Sequence, residues 1–248
     1  MAIGLEELKE RVEIRNQSKK DNAIAARKAK LEEESKQLWK ASQRRDGTTK
    51  LDYYPHAGQY KALNSDKRFV WVISGTQGGK TSFGPLWLFN EIQRRGEGDY
   101  LAITATYPLL KLKMLPEFLK LFRDTLNLGT WGTSDKVFTS HDGKTRVIFG
   151  SAQNSESLES ATAKAAWLDE CGQDQFRVDS WEAVQRRLSL HQGRVLGTTT
   201  PYNLGWLKQQ VVDKWKAGDK EHDVIQFDSI ANPAFPKEEF ERARRTLP

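Results

Sequence analysis

The chain has 248 residues, of which 38% are hydrophobic, with a net charge of +6 and a mean hydropathy of −0.69. This length allows one α/β domain with a sizeable core, the low hydropathy predicts a solvated portion, and the basic balance permits a polyanionic partner without requiring one. The lone Cys171 excludes an internal disulfide framework, and the lack of a run of about 18 apolar residues or an apolar amino terminus argues against a transmembrane helix or a secretory signal.

The amino-terminal region is the most charged part of the chain. Its first 50 residues hold 13 Lys/Arg and 9 Asp/Glu. Residues 4–45 lack proline and favour one helix, or two that break near residues 16–18, but their apolar residues are sparse and show no sustained heptad. We therefore predict a charged helical arm over residues 1–47, ending in a linker at residues 46–49, and a core domain over residues 48–248.

Strands and helices alternate after the arm. Apolar runs predict strands at residues 69–73, 100–105, 165–169, 194–199 and 223–227, with helices near residues 83–95 and 109–126. Asp142-Gly143 predicts a hairpin turn between residues 137–140 and 145–149. This order predicts an α/β fold with a mostly parallel central sheet flanked by helices, and ligands then bind at the carboxyl ends of the strands.

The first motif is a glycine-rich loop between a strand and a helix. It comprises Ser74, Gly75, Thr76, Gln77, Gly78, Gly79, Lys80, Thr81 and Ser82. Strand, glycine loop, Lys-Thr and helix is the context of a phosphate-binding loop, in which Lys80 contacts the β- and γ-phosphates and Thr81 binds Mg²⁺. Ser74 stands where the usual pattern begins with glycine. The alternative is a glycine-rich turn with an incidental lysine.

A second motif is the pair of carboxylates that ends the strand at residues 165–169. Asp169 is a candidate Mg²⁺ ligand, and Glu170 is a candidate base for the attacking water. A helix N-cap just after a strand is the alternative interpretation.

Two further candidates rest on residue type. Thr199 and Thr200, at the end of the next strand, can contact the γ-phosphate or the attacking water, although threonine in a strand is also ordinary. Gln59 can both donate to and accept from an adenine edge, but an isolated glutamine more often has a packing or surface role.

These motifs occur in the order seen in the large terminase subunits of tailed bacteriophages, and the chain from about Leu51 onward resembles their ATPase domain. The shared segments are Pro55-His56-x-x-Gln59, the loop at 74–81, residues 104–107, 168–170 and 194–201, and Asn232-Pro233. The resemblance implies a RecA-like P-loop NTPase of the class with an additional catalytic glutamate. It implies ATP and Mg²⁺ as cofactors, and a motor that translocates double-stranded DNA into a viral capsid.

By motif match, the resemblance gives Gln59 the adenine role, Lys80 and Thr81 the phosphate and Mg²⁺ roles, Asp169 the Mg²⁺ role and Glu170 the role of base. Thr199 and Thr200 take the coupling role. The implied partners are double-stranded DNA, the portal protein, the small terminase subunit and further copies in a ring on the capsid, with no membrane, in the host-cell cytoplasm. The chain stops at Pro248, where the family's nuclease domain would begin, so we expect no nuclease activity from these residues.

Two positions depart from the family pattern. Thr76 stands where many relatives carry an arginine in the phosphate loop, and Glu159 stands where many carry an arginine that acts on a neighbouring subunit's ATP. The arginine finger is therefore open. We favour Arg146, beside the predicted hairpin, over the other candidates, which are Arg177, Arg186, Arg187, Arg194 and Lys164.

Two other functions remain as alternatives. A superfamily 2 helicase shares these motifs but needs a second RecA-like domain, for which 248 residues leave no room. A nucleotide-gated adaptor that binds DNA without hydrolysing ATP needs no base, so Glu170 argues against it.

Overall fold

The computed structural model describes residues 20, 22, 24–30, 33–34, 36–153, 162–201 and 205–246. Within these ranges, the strands are β1 Trp39–Gln43, β2 Thr49–Tyr53, β3 Phe69–Ser74, β4 Gly98–Thr104, β5 Gly129–Gly132, β6 Val137–Ser140, β7 Thr145–Ser151, β8 Ala165–Asp169, β9 Arg194–Thr199 and β10 His222–Phe227. Eight of them form one sheet in the order β10-β3-β9-β8-β4-β7-β6-β5. The six strands from β10 to β7 are parallel, and β6 and β5 are antiparallel. The predicted mostly parallel sheet is confirmed.

Helices follow most of the parallel strands. They are α1 Ala57–Asn64, α2 Lys80–Arg95, α4 Val178–Leu188 and α6 Lys237–Thr246. Two further helices alternate α and π turns: α3 over Tyr107–Leu109, Leu110–Met114, Leu115–Leu119 and Lys120–Thr125, and α5 over Gly205–Leu207, Lys208–Val212 and Asp213–Lys216. In the described part of the chain, no helix is both long and apolar enough to span a bilayer.

Apolar side chains cover the sheet on both faces, which explains why the parallel strands appear in the sequence as continuous apolar runs. Every residue of β3, β8 and β9 is buried. Alternate residues of β3 face opposite sides, so Val70 packs with α2 and α3 while Trp71 packs with α4 and α5.

One close contact brings the glycine-rich loop beside the carboxylates. Gly84, in the second turn of α2, packs against the buried indole of Trp167 on β8, and a Cβ at this position would lie 1.9 Å from that ring. Because only glycine allows this approach, the first turn of α2 reaches the carboxyl end of β8, where Asp169 lies.

The prediction of a helix up to residue 45 is wrong at its carboxyl end. Trp39–Gln43 and Thr49–Tyr53 form an antiparallel hairpin, and the residues predicted to be a linker form its turn, in which Gly47 has φ 81°. Trp39 and Leu51 pack against the core, and the repeated apolar face that a helix needs is absent here. Residues 24–30 and 33–34 are helical as predicted. The proposed boundary after residue 47 falls inside the hairpin, so any separable arm ends before Trp39.

A buried ion cluster joins α2 to β9. The carboxylate of Glu91 contacts the guanidinium of Arg194, which also donates to the carbonyls of Ser65 (2.6 Å) and Lys67 (2.9 Å). Glu91 also accepts from Arg95 at 3.0 Å, and its side chain is 2% exposed. Burial lowers the pKa of Arg194, while the charge of Glu91 opposes this shift. The cluster therefore stabilises the amino-terminal ends of the strands, at the opposite end of the sheet from the glycine-rich loop.

We predict that Glu91→Ala lowers the free energy of unfolding by about 3–5 kcal/mol, because it leaves Arg194 buried without a counter-charge. The measurement is urea denaturation, with Glu97→Ala as the control. The Glu97 side chain is 62% exposed, and its one ion-pair partner among the described residues is the exposed Lys144, so its replacement should cost much less. Equal losses in the two variants would show that the buried cluster does not stabilise the fold.

Candidate active site

The backbone carbonyls of the loop after β3 are held by side chains. The six consecutive backbone carbonyls of residues 74–79 all accept hydrogen bonds from side chains. The donors are Lys80 Nζ to Ser74 and Gly75, Ser229 Oγ to Thr76, Asn232 Nδ2 to Gln77, His56 Nε2 to Gly78 and Gln59 Nε2 to Gly79, over 2.5 to 3.2 Å. We call these five donor residues the loop clasp.

The opposite side of the loop presents N–H groups. Gln77 and Gly79 have φ values of 61° and 80°, which turn the backbone inward between them. In the described part of the chain, the N–H groups of Thr76, Gln77 and Gly79 donate to no protein acceptor. The first turn of α2 adds further unpaired N–H groups and the positive end of a helix dipole. The loop therefore forms a cradle for an anion such as phosphate.

Lys80 lies on the floor of this cradle. Its side chain is buried, and its ammonium donates to the carbonyls of Ser74 at 2.9 Å and Gly75 at 2.8 Å. Burial lowers the pKa of Lys80, and the nearby carboxylates of Glu170 and Asp169 oppose the shift. The ammonium is thus positioned beside the loop's inward N–H groups.

Asp169 ends β8 directly beside α2. Its Oδ2 accepts from Thr81 Oγ1 at 3.0 Å, and its Oδ1 accepts from Thr198 Oγ1 at 2.6 Å. Burial raises the pKa of Asp169 to about 6, while the two hydroxyl donors oppose that rise. The predicted pairing of Thr81 with Asp169 is therefore present as a contact between two oxygen ligands.

Glu170 has a different environment, although it is the next residue. Its φ of 52° lies in the left-handed region, which is uncommon for a residue other than glycine. Its side chain lines the cavity beside the loop, and its Oε2 is buried with no hydrogen-bond partner in the described part of the chain. Glu170 therefore combines a strained backbone with a carboxylate oxygen that lacks a donor among the described residues, at the wall of the cavity.

The loop and the strand ends enclose a cavity of about 480 Å³. Its lining residues are Thr76, Gln77, Gly78, Gly79, Lys80, Thr81, Ser82, Lys113, Glu117, Glu170, Gln173 and Thr200. Most of the predicted phosphate-loop residues, together with Glu170 and Thr200, are thus brought to one cavity. Gln59, Ser74, Gly75, Asp169 and Thr199 lie behind its wall rather than on it.

Two predicted residues support the site from behind. Gln59 is buried, its Nε2 donates to Gly79 at 3.1 Å, and its Oε1 accepts from the His56 N–H at 3.2 Å. Thr199 Oγ1 accepts from the N–H of Gly172 at 3.0 Å, which ties the turn after Glu170 to β9. Both side chains are therefore committed to backbone partners.

Thr198 is a site residue that the sequence analysis missed. It lies beside Asp169 in the register of β8 and β9 and is fully buried. Strand alternation places Thr198 and Thr200 on the same face of β9 and Thr199 on the other. That alternation was a usable signal, but it identifies the right face only once the order of the strands is known.

The residues proposed for the arginine finger do not lie together, because some are at the carboxyl ends of the strands and others at the amino-terminal ends. Arg146, on β7, forms a bidentate ion pair with Asp99 of β4 at 2.8 and 2.6 Å. This pair lies about five residues, at roughly 3.3 Å each, from the carboxyl ends of the strands, so Arg146 is remote from its own cavity. Arg194 belongs to the buried ion cluster, and Lys164 Nζ donates to the carbonyls of Arg95 and Glu97.

The remaining finger candidates divide between the same two ends. Arg186 and Arg187 lie at the carboxyl end of α4. Arg177 is exposed at the N-cap of α4, which begins at the same end of the strands as the cavity. Glu159 lies outside the described residues. A finger that acts on a neighbouring subunit remains a prediction for any of these arginines.

A Mg²⁺ ion fits this site through Asp169 and Thr81. Mg²⁺ prefers oxygen ligands, and it often takes only one or two from the protein and the rest from water and substrate phosphates. In the described part of the chain, no cluster of three or more His, Cys, Asp or Glu side chains forms a self-sufficient metal site. The chemistry of the donors thus suits a metal that binds together with a phosphate ligand.

We predict that Thr198→Val lowers the free energy of unfolding by about 1–3 kcal/mol, because it leaves a buried carboxylate oxygen without its donor. The pKa of Asp169 is about 6, above its ordinary value, so above pH 6 the carboxylate is ionised and its burial lowers the stability of the folded state. The loss caused by Thr198→Val should therefore be largest above pH 6 and should shrink as the pH falls below 6. Denaturation by urea at one pH on each side measures this.

Thr104→Val is the matched control for that experiment. Thr104 lies beside Asp169 on β4 and is equally buried, but its hydroxyl has no partner in the described part of the chain. Its replacement should leave stability unchanged or raise it. A pH-independent loss in Thr198→Val, equal to that in Thr104→Val, would show that Thr198 does not support the ionised Asp169.

The comparisons with known proteins identify the fold. No family model and no curated protein sequence matches this chain. Among solved structures, the large terminase of a thermophilic bacteriophage matches with a TM-score of 0.65 and 17% identity, over 78% of this chain and 50% of its own length. The same terminase in complex with ADP matches with a TM-score of 0.63.

Two further terminase structures resemble this fold. The large terminase ATPase domain of Thermus phage P74-26 matches with a TM-score of 0.65 and 17% identity, over 79% of this chain and 90% of that domain. The large terminase of bacteriophage HK97 matches with a TM-score of 0.58 and 15% identity, over 76% of this chain and 45% of its own length. This chain thus spans about half the length of the full terminases it matches, and it has the RecA-like fold of their ATPase domains.

Proposed function

We propose that this chain is the ATP-hydrolysing motor domain of a viral genome-packaging machine, which translocates double-stranded DNA into a capsid. One observation carries the ATPase part. The inward N–H groups of the loop share a cavity with Glu170, whose carboxylate oxygen is unpaired, while Asp169 and Thr81 meet at its wall. The fold shared with terminase ATPase domains supports the packaging role.

In this proposal each side chain has a separate task. The loop N–H groups and Lys80 bind the phosphates of ATP, and Thr81 and Asp169 hold Mg²⁺, which neutralises phosphate charge when it is bound. Glu170 orients the attacking water and accepts its proton. Thr200, on the cavity wall, and Thr199, behind it, link the γ-phosphate to β9. Gln59 contributes by fixing Gly79 rather than by a contact inside the cavity.

We expect Glu170→Gln to bind ATP but to lose about 10²–10⁴-fold in phosphate release, because an amide can orient water but cannot accept its proton. Lys80→Ala should lose both binding and hydrolysis. Steady-state phosphate release and equilibrium nucleotide binding measure the two effects. Glu182→Gln, on the exposed face of α4, is the control. Hydrolysis by Glu170→Gln at the wild-type rate would refute the assignment of the base.

The proposed partners follow from the motor function. They are double-stranded DNA, the portal protein, the small terminase subunit and further copies of this chain in a ring, in the host-cell cytoplasm. The excess of basic residues supports binding to a polyanion through its phosphates. A motor that must move along any sequence has no need to contact base edges.

We predict that two unrelated duplexes bind with the same affinity and that both affinities fall as salt is raised, since released counterions drive the binding. Fluorescence anisotropy at two salt concentrations measures this. The wild-type chain and Glu170→Gln should bind DNA equally well. A strong preference for one sequence, or an affinity that is indifferent to salt, would contradict the motor. ATP-dependent separation of the duplex strands would favour the helicase alternative.

A further inference from the structure

The cavity contains a second basic side chain that no motif predicted. Besides Lys80, Lys113 is the one lysine or arginine that lines it in the described part of the chain. Lys113 lies in the π turn Leu110–Met114 of α3, the helix that follows β4. The sequence does not predict this position, because an exposed lysine on a helix gives no local signal of the surface it faces.

The backbone around Lys113 is fixed, whereas its side chain is not. Leu110 and Met114 flank it and are 2% and 0% exposed, so they anchor this turn to the core. Lys113 itself is exposed and forms no hydrogen bond or ion pair with any described residue. A lysine anchored in this way can reach a ligand in the cavity without losing any existing interaction.

The charges around the cavity show why a second cation matters. A nucleoside triphosphate brings several negative charges, and Glu170 and Glu117 add two more on the cavity wall. Lys80 shares its ammonium protons with the carbonyls of Ser74 and Gly75. Thr76 gives the loop no charge, and Arg146 and Arg194 are held at the other end of the sheet.

Lys113 and Lys80 line the same cavity, and each carries a positive charge. Two like charges that face one cavity repel each other across it. An anion bound between them relieves that repulsion, so both lysines favour the same ligand.

We propose that Lys113 binds the terminal phosphate of the bound nucleoside triphosphate from within the same subunit. This inference rests on the proposed ATPase function. The N–H groups of the loop and Lys80 approach the phosphates from the β3 side, and Lys113 approaches from α3 across the cavity. Lys113 is then the group that distinguishes a triphosphate from a diphosphate.

The test compares nucleotide affinities as well as turnover. We expect Lys113→Ala to weaken the binding of a non-hydrolysable ATP analogue by about tenfold, the loss of one charge-assisted contact, while the affinity for ADP stays unchanged. Turnover should fall as well. Lys113→Arg, which keeps the charge, should restore the preference for the triphosphate. Isothermal titration with each nucleotide in the presence of Mg²⁺ gives both affinities.

Lys111→Ala is the matched control, because Lys111 is an equally exposed lysine of the same turn that does not line the cavity. It should bind both nucleotides as the wild type does. Unchanged affinities in Lys113→Ala, or an equal loss for ADP and the analogue, would overturn the proposal. Failure of the wild-type chain to bind either nucleotide would instead refute the proposed function.

Discussion

The site depends on one constraint, which is that every carbonyl of residues 74–79 must find a side-chain donor, either behind the loop or, for Ser74 and Gly75, from Lys80 on the cavity floor. A peptide group has an acceptor and a donor on opposite edges, so fixing the carbonyls also sets the direction of the free N–H groups. Without the loop clasp, several of these carbonyls would have to find other partners, and the cradle would lose its shape. The hydrogen bonds to the carbonyls therefore orient the free N–H groups that can bind an anion.

This constraint explains why distant segments meet around the loop. His56 and Gln59 come from the start of α1, and Ser229 and Asn232 follow β10 at the edge of the sheet. His56 Nδ1 accepts from Gly58, which leaves Nε2 to donate to the loop, and burial lowers the pKa of His56, which favours the neutral ring. The segment after β10 is therefore well placed to sense a change in the loop.

The two neighbouring carboxylates acquire different chemistry from different surroundings. Asp169 is enclosed and receives hydroxyl donors from α2 and β9, so its orientation is set before any ligand arrives. Glu170 has a strained backbone, it lines the cavity, and its Oε2 has no hydrogen-bond partner among the described residues. Strand β8 supplies both residues, yet the elements packed on each side of it decide which one is held and which one is free.

The sequence by itself determined the parallel sheet, the loop, its lysine and the Asp-Glu pair. Each is a local pattern: an apolar run long enough for a buried strand, glycines spaced for a turn, or charges at a strand end. The tertiary structure alone decided that Trp39–Gln43 is a strand, that Gln59 contacts the back of the loop and that Thr198 donates to Asp169. It also decided that Arg146 lies at the end of the strands away from the cavity and that Lys113 lines the cavity. The physical reason is that the partner of a polar side chain depends on strand order and register, and these arise from contacts between segments that are separated in the sequence.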